Sequence, residues 1–320
     1  MKRFKSILIT LSLAILALSL YLFWPGRELK ITINEGAGAA QAAQILKREG
    51  VIISATWFKI LVKLTGTGKR IMPGEYSLRR AMSAEEALWR LVHNNYINHI
   101  KLNIPEGWRA EQIAERLESN GVTKAEQFLA LVRQESLEGM LFPSTYYFKK
   151  NTPAREAVNL LKSEFDRRLA PLFSKGFPQG LDEKKTLIIA SIVEREAVDA
   201  AERPLIAAVY INRYRKKMAL EADPTVQYAL GYWKKGITLT DLRVKSPYNT
   251  YAVGGLPPGP ICNPGYDSVA AVLAPAEIDA LYFVADRKGT HIFNANFKEH
   301  LKAKKRVEQA ARGSKIGNSE

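Results

Sequence analysis

Cysteine and histidine are scarce in this sequence of 320 residues. The single cysteine, Cys262, cannot form an internal disulfide, so packing rather than covalent cross-linking must stabilise the fold. None of the four histidines lies at a useful metal-ligand spacing from a carboxylate or cysteine partner. They are His93, His99, His291 and His300. We therefore expect no metal site and no cofactor, and we expect His291 to be a structural or rim residue rather than a ligand.

Two motifs of nucleotide and ester chemistry are also missing. The sequence contains neither a glycine-rich loop that would cradle phosphate nor a Gly-x-Ser-x-Gly elbow that would present a nucleophilic serine. With these classes excluded, carboxylate chemistry on an uncharged or sugar-like substrate remains. The candidate carboxylates are Glu194 and Glu196, which end the otherwise apolar run of residues 187–196.

This apolar run is the main candidate for a catalytic helix. In a helix, Ala190, Ser191 and Glu194 share one face, and the two small residues would leave room for a ligand. Aliphatic neighbours make a carboxyl group harder to ionise, which is how a glutamate becomes a general acid. Glu196 would point about 200° away, so we expect a structural role for it. A helix end at which both carboxylates simply face water is the alternative.

The first clear apolar segment without charges runs from Ile7 to Trp24 and follows three basic residues. Its length and its aromatic end predict a transmembrane anchor at residues 7–24, with residues 1–6 in the cytoplasm. A cleaved signal peptide is the alternative, although a small-x-small cleavage site is missing. We therefore expect a single-pass protein of the inner (cytoplasmic) membrane, with the rest of the chain in the periplasm.

Basic residues outnumber acidic ones by 47 to 32, which gives a formal net charge of +15 at pH 7. Such an excess ordinarily indicates nucleic acid as a partner. A periplasmic location removes that partner and leaves lipid headgroups and the acidic peptides of the cell wall as polyanions. We therefore expect no nucleic-acid binding. For the densest basic segment, residues 298–306, a solvated helix face is an equally good interpretation.

Helix and strand periodicities predict an α+β fold class in two parts. Residues 29–95 alternate short strands with helices and predict a small α+β module, with Ser83 as a helix N-cap. Residues 100–312 predict a larger, mostly helical domain with a C-terminal β-hairpin. Asp182 is the expected N-cap of the helix that contains the apolar run. We take residues 313–320 as a tail.

Candidate sugar-binding residues follow the apolar run in two segments, residues 220–228 and 246–251. Their amide, hydroxyl and aromatic groups suit a sugar, because hydroxyl groups need hydrogen bonds and pyranose faces pack on flat apolar groups. The candidates are Gln227, Asn249, Thr250 and Tyr251. Each could equally be a hydrogen-bonding residue of a loop or of the core. Residues 254–261, rich in proline and glycine, predict a stiff loop at the rim of a site, or a connector.

Several motifs in one order resemble a known family. They are Glu138-Gly139 with Leu141-Phe142-Pro143 and Thr145-Tyr146, Ala190-Ser191-Ile192-Val193-Glu194-Arg195-Glu196, Ile211-Asn212-Arg213, Asp223-Pro224-Thr225-Val226, Tyr248-Asn249-Thr250-Tyr251, Gly255-Leu256-Pro257-Pro258-Gly259-Pro260-Ile261, and Tyr282-Phe283-Val284-Ala285 with His291 and Phe293. From about Ile31 to Phe297 the chain resembles the MltG (YceG-like) family of endolytic murein transglycosylases. Ser144 departs from the family, which usually has Asp before the Thr-Tyr pair, and this departure bears on a local hydrogen bond.

The resemblance implies an enzyme, a peptidoglycan lytic transglycosylase of the carbon–oxygen lyase type. It implies a LysM-like module at residues 29–95 that recognises glycan, and a catalytic domain at residues 100–312 that cuts nascent strands between MurNAc and GlcNAc. The family's catalytic glutamate maps to Glu194. This residue would act as general acid toward the leaving GlcNAc oxygen and then as general base toward the C6 hydroxyl of MurNAc. The product is a 1,6-anhydroMurNAc end, which would terminate strand elongation.

A single catalytic carboxylate agrees with this reaction, because a hydrolase normally uses two and the sequence offers no convincing second one. The expected partners are peptidoglycan glycan strands, peptidoglycan synthases (penicillin-binding proteins) and, through the amino-terminal helix, the membrane. A non-catalytic scaffold that binds glycan with the same domains is the alternative from another class. The two hypotheses differ on whether Glu194 performs chemistry.

Overall fold

The structure is a computed structural model that describes residues 28–34, 37–93, 99–232, 234, 236–286 and 289–316. These residues form two compact units that divide between His99 and Ile100. Within the described ranges, helices are combined with short two-stranded sheets. The α+β part of the predicted fold class is therefore confirmed.

The first unit packs helices against one two-stranded sheet. Its elements are β1 (Glu28–Ile33), α1 (Ala39–Arg48), α2 (Ala55–Thr65), a 3₁₀ turn (Thr67–Arg70), β2 (Gly74–Arg79) and α3 (Ala84–Val92). The two strands are antiparallel, with Ile31 opposite Tyr76, and both of these side chains are buried in the core. The predicted N-cap at Ser83 is confirmed, because its hydroxyl accepts a hydrogen bond from the Glu86 N–H at 3.1 Å.

The second unit, entered through β3, is mostly helical. Its elements are β3 (His99–Asn103), α4 (Ala110–Ser119), α5 (Ala125–Gln134), β4 (Thr145–Lys149), α6 (Ala154–Phe173), α7 (Glu183–Glu196), a 3₁₀ turn (Ala200–Glu202), α8 (Arg203–Arg215), α9 (Asp223–Leu230), a 3₁₀ turn (Asp241–Arg243), α10 (Tyr266–Leu273), β5 (Tyr282–Ala285), β6 (His291–Asn294) and α11 (Phe297–Ile316). The strands β3 and β4 pair, and apolar residues of α4, α5 and α6 form a core beside them. The strands β5 and β6 pair as the predicted hairpin, with Phe283 opposite Phe293.

Helix α7 is central to the other core of the second unit. Its residues 186–193 are all buried, so neighbouring elements surround the helix instead of covering one stripe. The helices α8 and α10 pack against it in this core. Asp182 is the N-cap, as predicted, because its carboxylate accepts a hydrogen bond from the Lys185 N–H at 2.8 Å. The last turn of α7, which contains Glu194, is therefore fixed at the edge of the core.

The predicted transmembrane helix requires correction. Among the described residues, no helix is long and apolar enough to cross a membrane. The helices α6 and α11 have 20 residues each, but they carry many charged side chains, whose transfer into hydrocarbon is unfavourable. The predicted anchor, residues 7–24, lies outside the described ranges. The membrane-spanning part of the predicted fold class and the single-pass inner-membrane location are therefore not supported, and we do not retain them.

Candidate functional site

Glu194 follows the buried residues of α7 in the last helical turn. Its side chain is only 7% exposed, which argues against a carboxylate that simply faces water. Oε2 of Glu194 accepts a hydrogen bond from the backbone N–H of Gly265 at 2.9 Å, and Nη2 of Arg203 lies 4.0 Å from Oε1. Gly265 directly precedes α10. A helix start and a guanidinium group thus hold this carboxyl group in one orientation.

A second carboxyl group, that of Glu106, lies beside the same glycine. A Cβ atom at Gly265 would overlap the carboxyl group of Glu106, so any side chain there would displace that group. Gly107 has a φ of 75°, and a Cβ atom there would lie 3.6 Å from Cγ of Glu194. The two glycines therefore allow the chain to approach Glu194 closely. Burial and then the negative charge of Glu194 raise the pKa of Glu106, against the opposing effect of Arg203.

Asn263 fixes the segment that carries Glu106. The backbone carbonyl of this buried residue accepts a hydrogen bond from the Gly107 N–H at 2.9 Å, and its Nδ2 donates to Oε1 of Glu138 at 3.0 Å. Glu138 also accepts a hydrogen bond from the N–H of Ala110, at the start of α4, at 3.2 Å. Burial raises the pKa of Glu138 to about 8. Segments that are distant in sequence are thus joined next to the two carboxyl groups.

A cavity of about 240 Å³ is lined by Gly107 and Arg195, which are neighbours of Glu194, whereas Glu194 itself does not line it. Its polar lining consists of two arginines, two glutamines and two tyrosines, which are Arg109, Gln112, Arg195, Gln227, Tyr228 and Tyr232. Such groups can bind the hydroxyl and charged groups of a glycan. A larger cavity of about 590 Å³ shares Tyr228 with the first and is also lined by Tyr248 and residues 258–260. The predicted stiff loop therefore contributes to the wall of the larger cavity.

The predicted sugar-binding residues differ in their exposure. Gln227 lines the smaller cavity, and its Nε2 also donates a hydrogen bond to the carbonyl oxygen of Lys234 at 2.7 Å. Asn249 is buried, and its Nδ2 donates to the carbonyl oxygens of Leu242 and Val244 at 2.9 Å each. The amide of Asn249 therefore holds its own loop.

Thr250 and Tyr251 contact the start of α9. The hydroxyl of Thr250 is buried, accepts a hydrogen bond from the Ala222 N–H at 3.0 Å and lies 2.8 Å from the hydroxyl of Thr225. Tyr251 is 37% exposed, and its hydroxyl donates to Oδ1 of Asp223 at 2.7 Å. The polar groups that suit a sugar thus also suit a hydrogen-bonded core.

The small residues before Glu194 make room for another part of the chain rather than for a ligand. Ala190 and Ser191 are fully buried. The hydroxyl of Ser191 donates a hydrogen bond to the carbonyl of Ile188 at 2.7 Å and accepts one from the Ile261 N–H at 3.0 Å. The end of the loop formed by residues 254–261 is thereby fixed against α7. The expectation of free space on this helix face was wrong.

Glu196 and His291 both make structural contacts. Oε1 of Glu196 accepts a hydrogen bond from the hydroxyl of Tyr210 at 2.9 Å, and burial raises the pKa of Glu196 to about 7. Nδ1 of His291 lies 2.6 Å from Oε2 of Glu202, and the backbone N–H of His291 donates to Oε1 at 2.8 Å. His291 thus joins β6 to the turn before α8. Within the described ranges, no group of three potential ligands is assembled for a metal ion.

Sequence reasoning missed Glu106, Asn263 and Arg203 as neighbours of Glu194. Two short signals were available, Pro105-Glu106-Gly107-Trp108 before α4 and Asn263-Pro264-Gly265 before α10. Proline and glycine indicate turns with a defined backbone, and a polar residue in such a turn is a candidate site residue. Arg203 offered no signal beyond its charge, because its distance from Glu194 depends on how α7 and α8 pack.

Comparison with known proteins gives consistent matches over most of the chain. Residues 31–306 match the YceG-like family. A Bacillus subtilis (strain 168) protein named endolytic murein transglycosylase is 32% identical over 302 residues, which cover 86% of this chain and 84% of the relative. A protein of the same name from Streptococcus pneumoniae serotype 2 (strain D39) is 29% identical over 310 residues. That match covers 84% of this chain and 56% of the pneumococcal protein.

A solved structure is also similar. The crystal structure of a yceG-like protein from Listeria monocytogenes shares 32% sequence identity with this chain and superposes with a TM-score of 0.56. The match covers 86% of this chain and 98% of the Listeria chain.

Proposed function

Because the chain belongs to the YceG-like family, we propose that it is an endolytic murein transglycosylase whose catalytic residue is Glu194. Its enzyme class is peptidoglycan lytic transglycosylase, and murein, or peptidoglycan, is its substrate. The observation that carries the assignment of Glu194 is its environment. The Glu194 side chain is 7% exposed and accepts the Gly265 N–H, and its neighbours Gly107 and Arg195 line a polar cavity.

The first step of the proposed reaction breaks the glycosidic bond. Protonated Glu194 gives its proton to the oxygen that leaves with GlcNAc, while the bond between that oxygen and C1 of MurNAc breaks. Glu194 is then negatively charged. The Gly265 N–H and the guanidinium group of Arg203 stabilise this charge from fixed positions.

The second step closes a ring on MurNAc. Ionised Glu194 accepts the proton of the C6 hydroxyl as that oxygen forms a bond to C1. The product is a 1,6-anhydroMurNAc end, no water is consumed, and Glu194 regains its proton. Cleavage within a nascent strand terminates its elongation. A glycoside hydrolase uses two carboxyl groups, and Glu106 lies beside Glu194. Whether the new end is a 1,6-anhydro end or a reducing end therefore distinguishes the proposed reaction from hydrolysis.

The predicted sugar-binding residues take different parts in this proposal. Gln227 is buried and lines the smaller cavity with its amide held by both backbone groups of Lys234, so its proposed part is to shape the wall that the substrate contacts. Tyr251 offers an exposed ring to the sugars. Asn249 and Thr250 are buried, and their hydrogen bonds shape the segment that carries Tyr251. Peptidoglycan synthases are the proposed partners.

The first unit, residues 29–95, is proposed to be the LysM-like module that recognises glycan. Trp57 is 46% exposed and Trp89 is 58% exposed. Exposed indole rings offer flat faces on which pyranose rings pack, which supports a sugar-binding role.

Digestion of peptidoglycan by the full chain tests the assignment of Glu194. We expect mass spectrometry to find fragments with 1,6-anhydroMurNAc ends, and Glu194→Gln to abolish them, because an amide neither donates the required proton nor accepts one. Glu183→Gln, which changes an exposed carboxylate at the other end of α7, is the matched control and should be as active as the wild type. Glu196→Gln should be milder than Glu194→Gln, because an amide oxygen still accepts the Tyr210 hydroxyl.

Two outcomes would contradict the proposal. Equal product from the wild type and Glu194→Gln would remove the catalytic role of Glu194. Fragments with reducing ends would instead indicate hydrolysis that uses water and a second carboxylate, for which Glu106 is the candidate.

A further inference from the structure

The smaller cavity, of about 240 Å³, is lined by two guanidinium groups, those of Arg109 and Arg195. None of its described lining residues is acidic. The remaining polar groups are amides and phenols, which carry no formal charge near neutral pH. A cavity that combines two positive charges with neutral hydrogen-bonding groups suits an anionic substituent of an otherwise uncharged substrate.

Arg109 is held in place before any ligand binds. It precedes α4, and its backbone N–H donates a hydrogen bond to Oε1 of Gln112 at 3.0 Å. Its Nη2 donates to the carbonyl oxygen of Gly231 at 2.8 Å, and its guanidinium lies 5.3 Å from the centre of the Tyr228 ring. A guanidinium has five N–H donors in a planar fork, so the hydrogen bond to Gly231 leaves others for a ligand.

Arg195 brings the second guanidinium next to the catalytic residue. It follows Glu194 directly in α7 and lines the cavity together with Gly107. Nη1 of Arg195 would lie 3.3 Å from a Cβ atom at Gly107, so the glycine allows the guanidinium to pass close to the backbone. Gly107 is therefore close both to a cavity-lining guanidinium and to the residue that we assign to catalysis.

The size of the cavity limits what enters it. Pockets for drug-sized ligands begin at about 300 Å³, whereas this cavity has about 240 Å³. It therefore suits one substituent of a sugar ring rather than a disaccharide.

We propose that this cavity binds a carboxylate of the murein strand, with Arg109 and Arg195 as specificity-determining residues. The inference rests on the proposed function. Murein strands carry carboxylates on the peptides attached to muramic acid, and on the lactyl ether of muramic acid where the peptide has been removed. Arginine binds a carboxylate through two parallel N–H donors, which gives both affinity and orientation. A carboxylate held here would set the position of the adjacent glycosidic bond relative to Glu194.

Binding of murein strands to the full chain carrying Glu194→Gln tests the proposal without turnover. Three kinds of strand are compared: strands with intact peptides, strands whose peptide carboxylates have been converted to amides, and strands whose peptides have been removed. We expect the amidated strands to bind about 10-fold more weakly than the intact ones, since a hydrogen bond to a charged group is lost. Peptide-free strands identify the source: tight binding assigns the lactyl carboxylate, and weak binding assigns the peptide carboxylate.

Arg109→Gln, added to Glu194→Gln, should remove the difference between intact and amidated strands. Arg109→Lys keeps the positive charge but lacks the planar pair of N–H donors, so it should retain part of the difference in affinity between intact and amidated strands. The same variant decides the result if Arg109→Gln fails to fold. Arg116→Gln is the matched control, because the Arg116 guanidinium lies 4.7 Å from the Trp108 ring and Arg116 does not line the cavity.

Equal affinity for all three kinds of strand would overturn the inference, as would an equal loss for all strands on changing Arg109. These failures are distinguishable from failure of the proposed function. If the wild-type chain released no anhydro ends from murein, the reaction would be rejected while the binding comparison would still decide what the cavity accepts. If the anhydro ends formed but the carboxylate preference were absent, only the inference would fall.

Discussion

Gly265 lies between two carboxyl groups, since its N–H binds Glu194 and its missing side chain leaves room for Glu106. Negative charges placed close together repel each other, so a carboxyl group beside an ionised one keeps its proton to a higher pH. The guanidinium of Arg203 opposes this effect but does not cancel it at Glu106. The pKa of Glu106 therefore depends in part on the carboxyl group of Glu194.

The pKa of Glu106 should be above its ordinary value of 4.5 in the wild type and should fall in Glu194→Gln, because the substitution removes one of the causes that raise it. Carbon-13 NMR of the side-chain carboxyl groups measures this pKa, with Glu106→Gln to assign the signal. Glu183→Gln changes a carboxylate at the opposite end of α7 and should leave the Glu106 titration unchanged. If Glu194→Gln also left it unchanged, the two carboxyl groups would not be neighbours in solution.

At the scale of elements, α7 is held at several points. The Asp182 carboxylate fixes its first turn, and its buried residues fill the core between α8 and α10. Near the last turn, the Ser191 hydroxyl accepts the N–H of Ile261 inside the protein. This bond joins the catalytic helix to the loop of residues 254–261, so a loop without regular structure contributes to the position of Glu194.

Ser191→Ala should destabilise the protein by about 1–3 kcal/mol, because it leaves the buried N–H of Ile261 without its acceptor. Urea unfolding measures the loss. Ser163→Ala in α6 is the control, because the Ser163 hydroxyl also donates to the carbonyl three residues earlier but is exposed. The control should change stability by less than about 0.5 kcal/mol. Equal effects of the two substitutions would mean that the loop is not held through Ser191.

The whole second unit contains buried carboxyl groups that affect its response to pH. Burial raises the pKa of Glu138 to about 8 and that of Glu196 to about 7, both from an ordinary 4.5. In each case the folded protein binds the proton more tightly than the unfolded chain does. The stability that each group contributes is therefore greatest at low pH and falls as the pH rises from about 4.5 toward the raised pKa.

Glu138→Gln should reduce the pH dependence of unfolding, because an amide does not ionise. The wild type should lose stability between about pH 5 and about pH 9, and the variant should lose less, by roughly 4 kcal/mol. Denaturant unfolding at several pH values measures both slopes. The exposed Glu183→Gln should keep the wild-type slope. A Glu138→Gln slope equal to that of the wild type would mean that Glu138 is ionised in the folded protein.

Much of the local structure could be predicted because its causes are local. Alternating apolar residues form β1 and β2, and side-chain oxygens at Ser83 and Asp182 begin their helices. The hairpin of β5 and β6 follows from two apolar runs around a turn. Asn249 and Thr250 were harder to place, since the same polar groups serve a sugar site or a buried hydrogen-bond network.

The sequence by itself determined the α+β class, the apolar helix that ends in carboxylates, and, through ordered motifs, the family. Only the tertiary structure decided which groups meet at Glu194. Its hydrogen-bond partner Gly265 is 71 positions away, and Glu106 and Arg203 belong to other segments. The periodicity of one segment says which face it buries, but not which distant segment covers that face. Their meeting depends on the packing of α7 with α8 and α10, which no single segment specifies.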